Sequence, residues 1–200
     1  MLEPIDNLVK VLSRLPGLGR RSAQRAAMAL VREPSRILDP LAAALGDVRR
    51  RVRCCSRCGG FTTEEHDPCD LCTDLLRDSV MCVVEDASDI VTIEASGAFK
   101  GRYHALGGKL SPVHHVGPEK LRVQELKDRI AAESISEVVL AVSTDMEGDA
   151  TAGYVEEALR GFPSEDAPVK VTRLAFGLPA DSGIAYSDPL TLRRAIAARR

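Results

Sequence analysis

Cys55 and Cys58 form one C-x2-C pair, Cys69 and Cys72 a second, and ten residues separate them. Thiolates are soft ligands, and two such knuckles bring four of them to the corners of a tetrahedron. The spacing predicts a closed structural zinc site, one Zn2+ per chain. Four sulfurs leave no position open for water, so catalysis by that metal is not expected. Disulfides are the competing reading, and they fit poorly with a cytoplasmic chain. Cys54 would need an x3 spacing to Cys58 and is left out of the set. Cys82 lies in an apolar run and reads as an inert buried strand residue. His66, between the knuckles, reads as a loop residue.

Carboxylates gather further on. Glu85 follows the apolar run 80–84, and Asp145, Glu147 and Asp149 follow the run 138–142. Acids at strand ends could hold Mg2+, which favours oxygen ligands. They could equally cap helix N-termini, where negative charge is favourable. Both readings stand on the sequence.

The third group is basic. Between two segments of helical periodicity stands Leu15-Pro16-Gly17-Leu18-Gly19-Arg20-Arg21-Ser22. Pro16 and Gly17 should end the first helix, and Gly19 should let a ligand approach the backbone. Arg21 and Arg25, four apart, share a face of the second helix away from Ala23 and Ala27. Helix N-terminal amides and arginines hold phosphate without reading bases. An ordinary helical hairpin with a solvated basic face is the alternative. Residues 1–60 carry 12 Lys/Arg against 5 Asp/Glu, and residues 61–200 carry 15 against 24, within a net charge of −2. That asymmetry points to a nucleic-acid-binding arm. With aromatic residues at 4% and no Trp, base stacking is not the expected mode. The run Arg49, Arg50, Arg51, Arg53 and Arg57 reads as a solvated helix face.

The elements that must position these groups follow from periodicity. Strands are expected at 80–84, 138–142 and 169–175, with helices at 120–132 and 150–159. Strand and helix alternation predicts an α/β layer with a mostly parallel sheet. The chain of 200 residues suits one or two domains. It has no signal-peptide pattern and no apolar run of membrane-spanning length, so a cytoplasmic protein is expected, with no membrane partner.

In order, the chain shows the glycine hairpin, the four cysteines, Cys82-Val83-Val84-Glu85-Asp86, and Gly101-Arg102-Tyr103-His104-Ala105-Leu106-Gly107-Gly108. Ser111-Pro112, Gly117-Pro118, Glu147-Gly148-Asp149-Ala150-Thr151-Ala152 and Arg173-Leu174-Ala175-Phe176-Gly177-Leu178-Pro179 follow, with Tyr186, Asp188 and Thr191-Leu192 near the end. In order and spacing this resembles the bacterial RecR family of recombination mediators over essentially its full length.

The resemblance implies an α+β multidomain fold. A helix-hairpin-helix domain would span 1–53, a C4 zinc finger 54–79, an α/β Toprim domain 80–178 and a C-terminal oligomerisation segment 179–200. It implies a DNA-binding, non-enzymatic role in recombinational repair with RecF and RecO, helping RecA displace single-strand-binding protein. It also implies a tetrameric ring able to encircle single- or double-stranded DNA. Carried over by position, the family's DNA-contacting basic residues fall on Arg21 and Arg25, within a candidate DNA-binding set of Gly17, Gly19, Arg20, Arg21 and Arg25, and zinc ligands fall on Cys55, Cys58, Cys69 and Cys72. The Toprim acids fall on Glu85, Glu147 and Asp149, with Asp145 beside them, for Mg2+ or partner docking.

Several positions depart from the family pattern. Val113-His114-His115 replaces Leu-Asp-Gly, and adjacent histidines read as surface loop. Asp181-Ser182 replaces a glycine pair. Catalytic Toprim enzymes carry Asp-x-Asp before Glu-Gly; here those positions are Ser143 and Asp145, half of a motif the family usually lacks. The alternative function is therefore a metal-dependent Toprim enzyme, such as a nuclease, primase or topoisomerase. The missing first Asp weakens two-metal chemistry, and no P-loop is present.

Overall fold

The computed structural model describes residues 2–175 and 189–197. The chain divides into two compact units between Val52 and Arg53.

The first unit is helical. Helices α1 (Glu3–Leu12) and α2 (Arg20–Arg32) pack through Val9, Ala23 and Ala27, and Leu8, Leu12 and Leu18 flank that contact. Ala23 and Ala27 are fully buried, so the small residues bring the helices close, as their spacing requires. The apolar pattern continues to Leu15, yet α1 ends at Leu12. Arg14 and Leu15 bond carbonyls three residues back, which tightens the chain into a turn, and Leu15 is exposed. Gly17, at φ +78°, then takes the left-handed turn that suits glycine. A π-helical turn (Pro34–Leu38) leads into α3 (Asp39–Arg51).

Within the second unit, strands β3 (Val80–Val84), β4 (Arg102–Ala105), β5 (Glu137–Ala141) and β6 (Lys170–Arg173) form one parallel sheet in the order β4-β3-β5-β6. Helices α5 (Ala87–Ser96), α6 (Val123–Ala132) and α7 (Met146–Ala158) connect the strands. Central β3 is buried on both faces, hence its unbroken apolar run. Met81 and Val83 pack with Leu126 and Ile130 of α6 and Ala152 and Val155 of α7. Cys82 and Val84 pack with Ile90 of α5 and with Tyr103 and Ala105 of β4. Each fully buried branched side chain here contributes about 2 kcal/mol.

The mostly parallel sheet expected from the alternation is what folds. Helix α7 starts earlier than the predicted residue 150, because Asp145 caps it. Strand β4 carries Arg, Tyr and His rather than an apolar run.

The cysteine segment belongs to this same unit. Strands β1 (Val52–Cys54) and β2 (Phe61–Thr63) pair, and a 3-10 turn (Glu64–His66) and short α4 (Asp70–Thr73) follow. Ala105 donates its N–H to the Cys58 carbonyl at 2.7 Å, and Leu71 packs against the Cys82 cluster. Helix α8 (Pro189–Ala197) covers Thr191 and Leu192. Phe176, Gly177, Leu178, Pro179, Asp181, Ser182, Tyr186 and Asp188 lie outside the described residues.

Candidate nucleic-acid interface, metal centre and acidic crevice

At the hairpin, Gly19 is the N-cap of α2, and no side chain caps that helix. Its φ of −69° and ψ of 165° suit any residue, and a Cβ there would meet nothing within 4 Å. Neither conformation nor packing within the protein therefore requires glycine at 19. The consequence is an uncapped helix start whose amides carry the positive end of the dipole. Arg20, Arg21 and Arg25 are exposed on α2, and none forms an ion pair with a described residue. A groove of about 530 Å³ runs along that face, lined by Arg21, Gln24, Arg25, Met28, Ala29 and Arg32. Arg21 and Arg25 therefore share the face their spacing predicts, with Arg32 continuing it.

The downstream arginine run divides. Arg50 and Arg51 pair with Asp47 on α3, as a solvated helix face would. Arg57 differs: its Nε meets Glu133 Oε1 at 3.0 Å and its Nη1 donates to the Cys72 carbonyl at 3.1 Å.

Cys55, Cys58, Cys69 and Cys72 bring their sulfurs within 4.8 Å of one another. Sulfurs about 2.3 Å from a tetrahedral metal would be about 3.8 Å apart; Cys55 to Cys72 is 3.9 Å and Cys58 to Cys69 is 3.6 Å. Backbone N–H groups of Gly60 and Cys69 point at the sulfurs of Cys58 and Cys55, each at 3.3 Å. Such donors stabilise thiolate. Crowded sulfurs also drive one another's titration apart: the Cys69 hydrogen bond helps push the Cys58 thiol up to about 12, while Cys58 and Cys72 draw Cys69 down. A cation at the centre would let all four ionise. An all-sulfur tetrahedron suits zinc or an iron–sulfur cluster. Cys54 is exposed and outside the set, and Cys82 is buried, its thiol pushed up to about 12 by that burial. His66, His114 and His115 are all exposed.

The acids meet at the carboxyl ends of β3 and β5, where strand order reverses and open α/β sheets bind ligands. Ser143 donates its backbone N–H to Glu85 Oε1 at 2.6 Å. Asp145 caps α7, accepting the Gly148 N–H at 2.7 Å. Lys109, which sequence reasoning missed, enters the crevice: its Nζ lies 2.5 Å from Asp145 Oδ2, 3.3 Å from Ser143 Oγ and 3.8 Å from Glu147 Oε2. Lys109 holds the Asp145 carboxyl at about 2, and Asp145 raises the Lys109 ammonium. Glu147 also accepts from the Ser111 hydroxyl at 2.5 Å, and Asp149 faces Arg173 at 3.5 Å. Among the described residues, the cysteines are the one group of three or more ligands close enough to share an ion. Capping thus accounts for Asp145, as it does for Asp86 and Asp89 at the start of α5. The signal for Lys109 lay in the sequence only as a lone charge after Gly107 and Gly108.

No helix among the described residues is long and apolar enough to cross a membrane. A family model described as RecR, helix-hairpin-helix, matches residues 5–49, and one described as Toprim domain matches residues 79–175. Recombination protein RecR of Desulfatibacillum aliphaticivorans is 45% identical over 194 residues, 96% of this chain and 94% of that protein. Recombination protein RecR of Moorella thermoacetica is 45% identical over 98% of this chain and 96% of its own length. The protein of that name from Mesorhizobium japonicum is 43% identical over 98% of this chain and 94% of its own. With a helical hairpin, a four-cysteine cluster and a parallel Toprim sheet in that order, the chain belongs to the RecR family of recombination proteins.

Proposed function

We propose that this protein is a DNA-binding mediator of recombinational repair rather than an enzyme. It works in the cytoplasm with RecF and RecO, helping RecA onto gapped or single-stranded DNA coated by single-strand-binding protein. The observation that carries this reading is the uncapped start of α2 at Gly19 beside the exposed Arg20, Arg21 and Arg25, which form no ion pair with a described residue. Gly17 shapes the turn, Gly19 keeps the amides open, and the arginines neutralise phosphates. Binding of this kind ignores sequence. A tetrameric ring would multiply one weak clamp by avidity.

For the chain's organisation we propose a hairpin domain at 1–53, a zinc finger at 54–79, the Toprim domain at 80–178 and an oligomerisation segment at 179–200. The metal of Cys55, Cys58, Cys69 and Cys72 is one structural Zn2+, supported by the sulfur spacing and the N–H donors to sulfur. Glu85, Asp145, Glu147 and Asp149 form a crevice whose carboxylates are taken up by protein donors, which favours docking over metal chemistry.

The test is the salt dependence of duplex DNA binding. Each phosphate partner removed by Arg21→Ala or Arg25→Ala should flatten the log–log slope by about 0.9. An unchanged slope in the double variant overturns the assignment. RecA loading on coated single strands, with RecO present, should fall in the same variant. Mg2+- or Mn2+-dependent cleavage of labelled DNA, abolished by Glu85→Gln, would instead establish the enzyme reading. Metal analysis should return one zinc per chain, and Cys69→Ser should destabilise the fold.

A further inference from the structure

Toprim chemistry calls for a divalent ion among the crevice acids, and the residues present do not fit one. Glu85 spends one oxygen on the Ser143 N–H, and Asp145 spends one on the Gly148 N–H. Glu147 spends one on the Ser111 hydroxyl. The remaining oxygens of Asp145 and Glu147 face the Lys109 ammonium, at 2.5 and 3.8 Å.

Lys109 is not a free surface chain. Gly108 donates its N–H to the Glu85 carbonyl at 2.8 Å, and Leu110 donates to Thr151 Oγ1 at 2.9 Å. Thr151 is itself fully buried on α7. The backbone on either side of Lys109 is thereby tied both to the end of β3 and to α7, the two elements that supply the acids. The ammonium offers three donors, and Asp145 and Ser143 are within hydrogen-bond reach. A like-charged divalent ion bound by the same oxygens would sit within a few ångströms of this charge, and the two repel.

We propose that Lys109 is the resident cation of the crevice and that its ammonium excludes divalent metal from Asp145 and Glu147. The inference rests on the mediator reading only in denying the crevice a catalytic metal. Its test measures binding rather than activity.

Mn2+ is titrated into the full, zinc-loaded chain and followed by its electron paramagnetic resonance signal. The native chain and Lys109→Arg, which keeps a cation, should show no saturable site. Lys109→Met should gain one Mn2+ per chain, and that gain should vanish when Asp145→Asn is added. Circular dichroism checks that the variants fold; Lys109→Ala serves if Lys109→Met does not. Mn2+ binding by the native chain that Asp145→Asn or Glu147→Gln abolishes would overturn the proposal. So would a folded Lys109→Met or Lys109→Ala that binds no Mn2+, because something other than Lys109 would then exclude the metal. Failure here leaves the DNA salt slope untouched, so the two readings fail separately.

Discussion

Arg57, in the first cysteine knuckle, meets Glu133, just past the end of α6, at 3.0 Å. Glu133 also receives Arg102 of β4 at 2.6 Å and Arg129 of α6 at 2.8 Å, with its own side chain only 3% exposed. One buried carboxylate thus ties the cysteine segment to the sheet and to α6. Burial alone would raise its titration; hydrogen bonds from Arg129 and Arg102 outweigh that and hold it below the usual carboxylate range.

Glu133→Gln should therefore cost about 3 kcal/mol, because it leaves arginines partly buried without their counter-charge. Urea unfolding measures this. A folded-state value below the unfolded one gives stability that is present above about pH 4.3 and lost as pH falls through the lower value. The variant should lose that acid component, and a native-like acid slope would contradict it.

His104 opens a second window. It is fully buried, its Nε2 donating to the Arg122 carbonyl at 2.8 Å and its Nδ1 facing Arg129 at 3.3 Å. That geometry needs the neutral ring, and burial, then Arg129, lowers its titration to about 3. Its neutral form thus stabilises the fold above about pH 6.5, and that contribution declines as pH falls toward the folded value. Ring-nitrogen NMR should find His104 uncharged at pH 5. A charged ring in the folded chain would refute the assignment.

These two groups mark where sequence stops being legible. The cysteine spacing and the apolar runs of β3 and β5 each carry their meaning locally. Strand β4 does not: Arg102 and His104 are acceptable inside only because Glu133 and the Arg122 carbonyl, distant in sequence, meet them. Lys109 is the same case, since a lone lysine beside two glycines acquires its role only when Asp145 arrives from the start of α7. The acids were visible, but whether they capped or coordinated depended on these partners.

Two glycines of α7 should respond oppositely to one substitution. A Cβ on Gly148 would lie 2.0 Å from the Ser143 carbonyl oxygen, whereas on Gly153 it would meet nothing within 4 Å. Gly148→Ala must displace the loop that joins Glu85 to Asp145, at a cost of about 2 kcal/mol. Gly153→Ala should stabilise by up to about 1 kcal/mol, as alanine does within a helix. Thermal unfolding of both variants checks the pair, and equal shifts would contradict the close approach of α7 to Ser143.

Gly19 separates stability from DNA binding. Its backbone already has the extended N-cap conformation, and the space beside it is open. Serine there could accept a first-turn N–H of α2, so Gly19→Ser should leave stability unchanged or raise it by a few tenths of a kcal/mol. The same hydroxyl would occupy an amide that phosphate needs and add bulk where the strand must approach. DNA affinity should fall several-fold while the unfolding midpoint holds or rises. A purely structural glycine would move both quantities down together, and a solvated hairpin with no ligand would leave affinity unmoved.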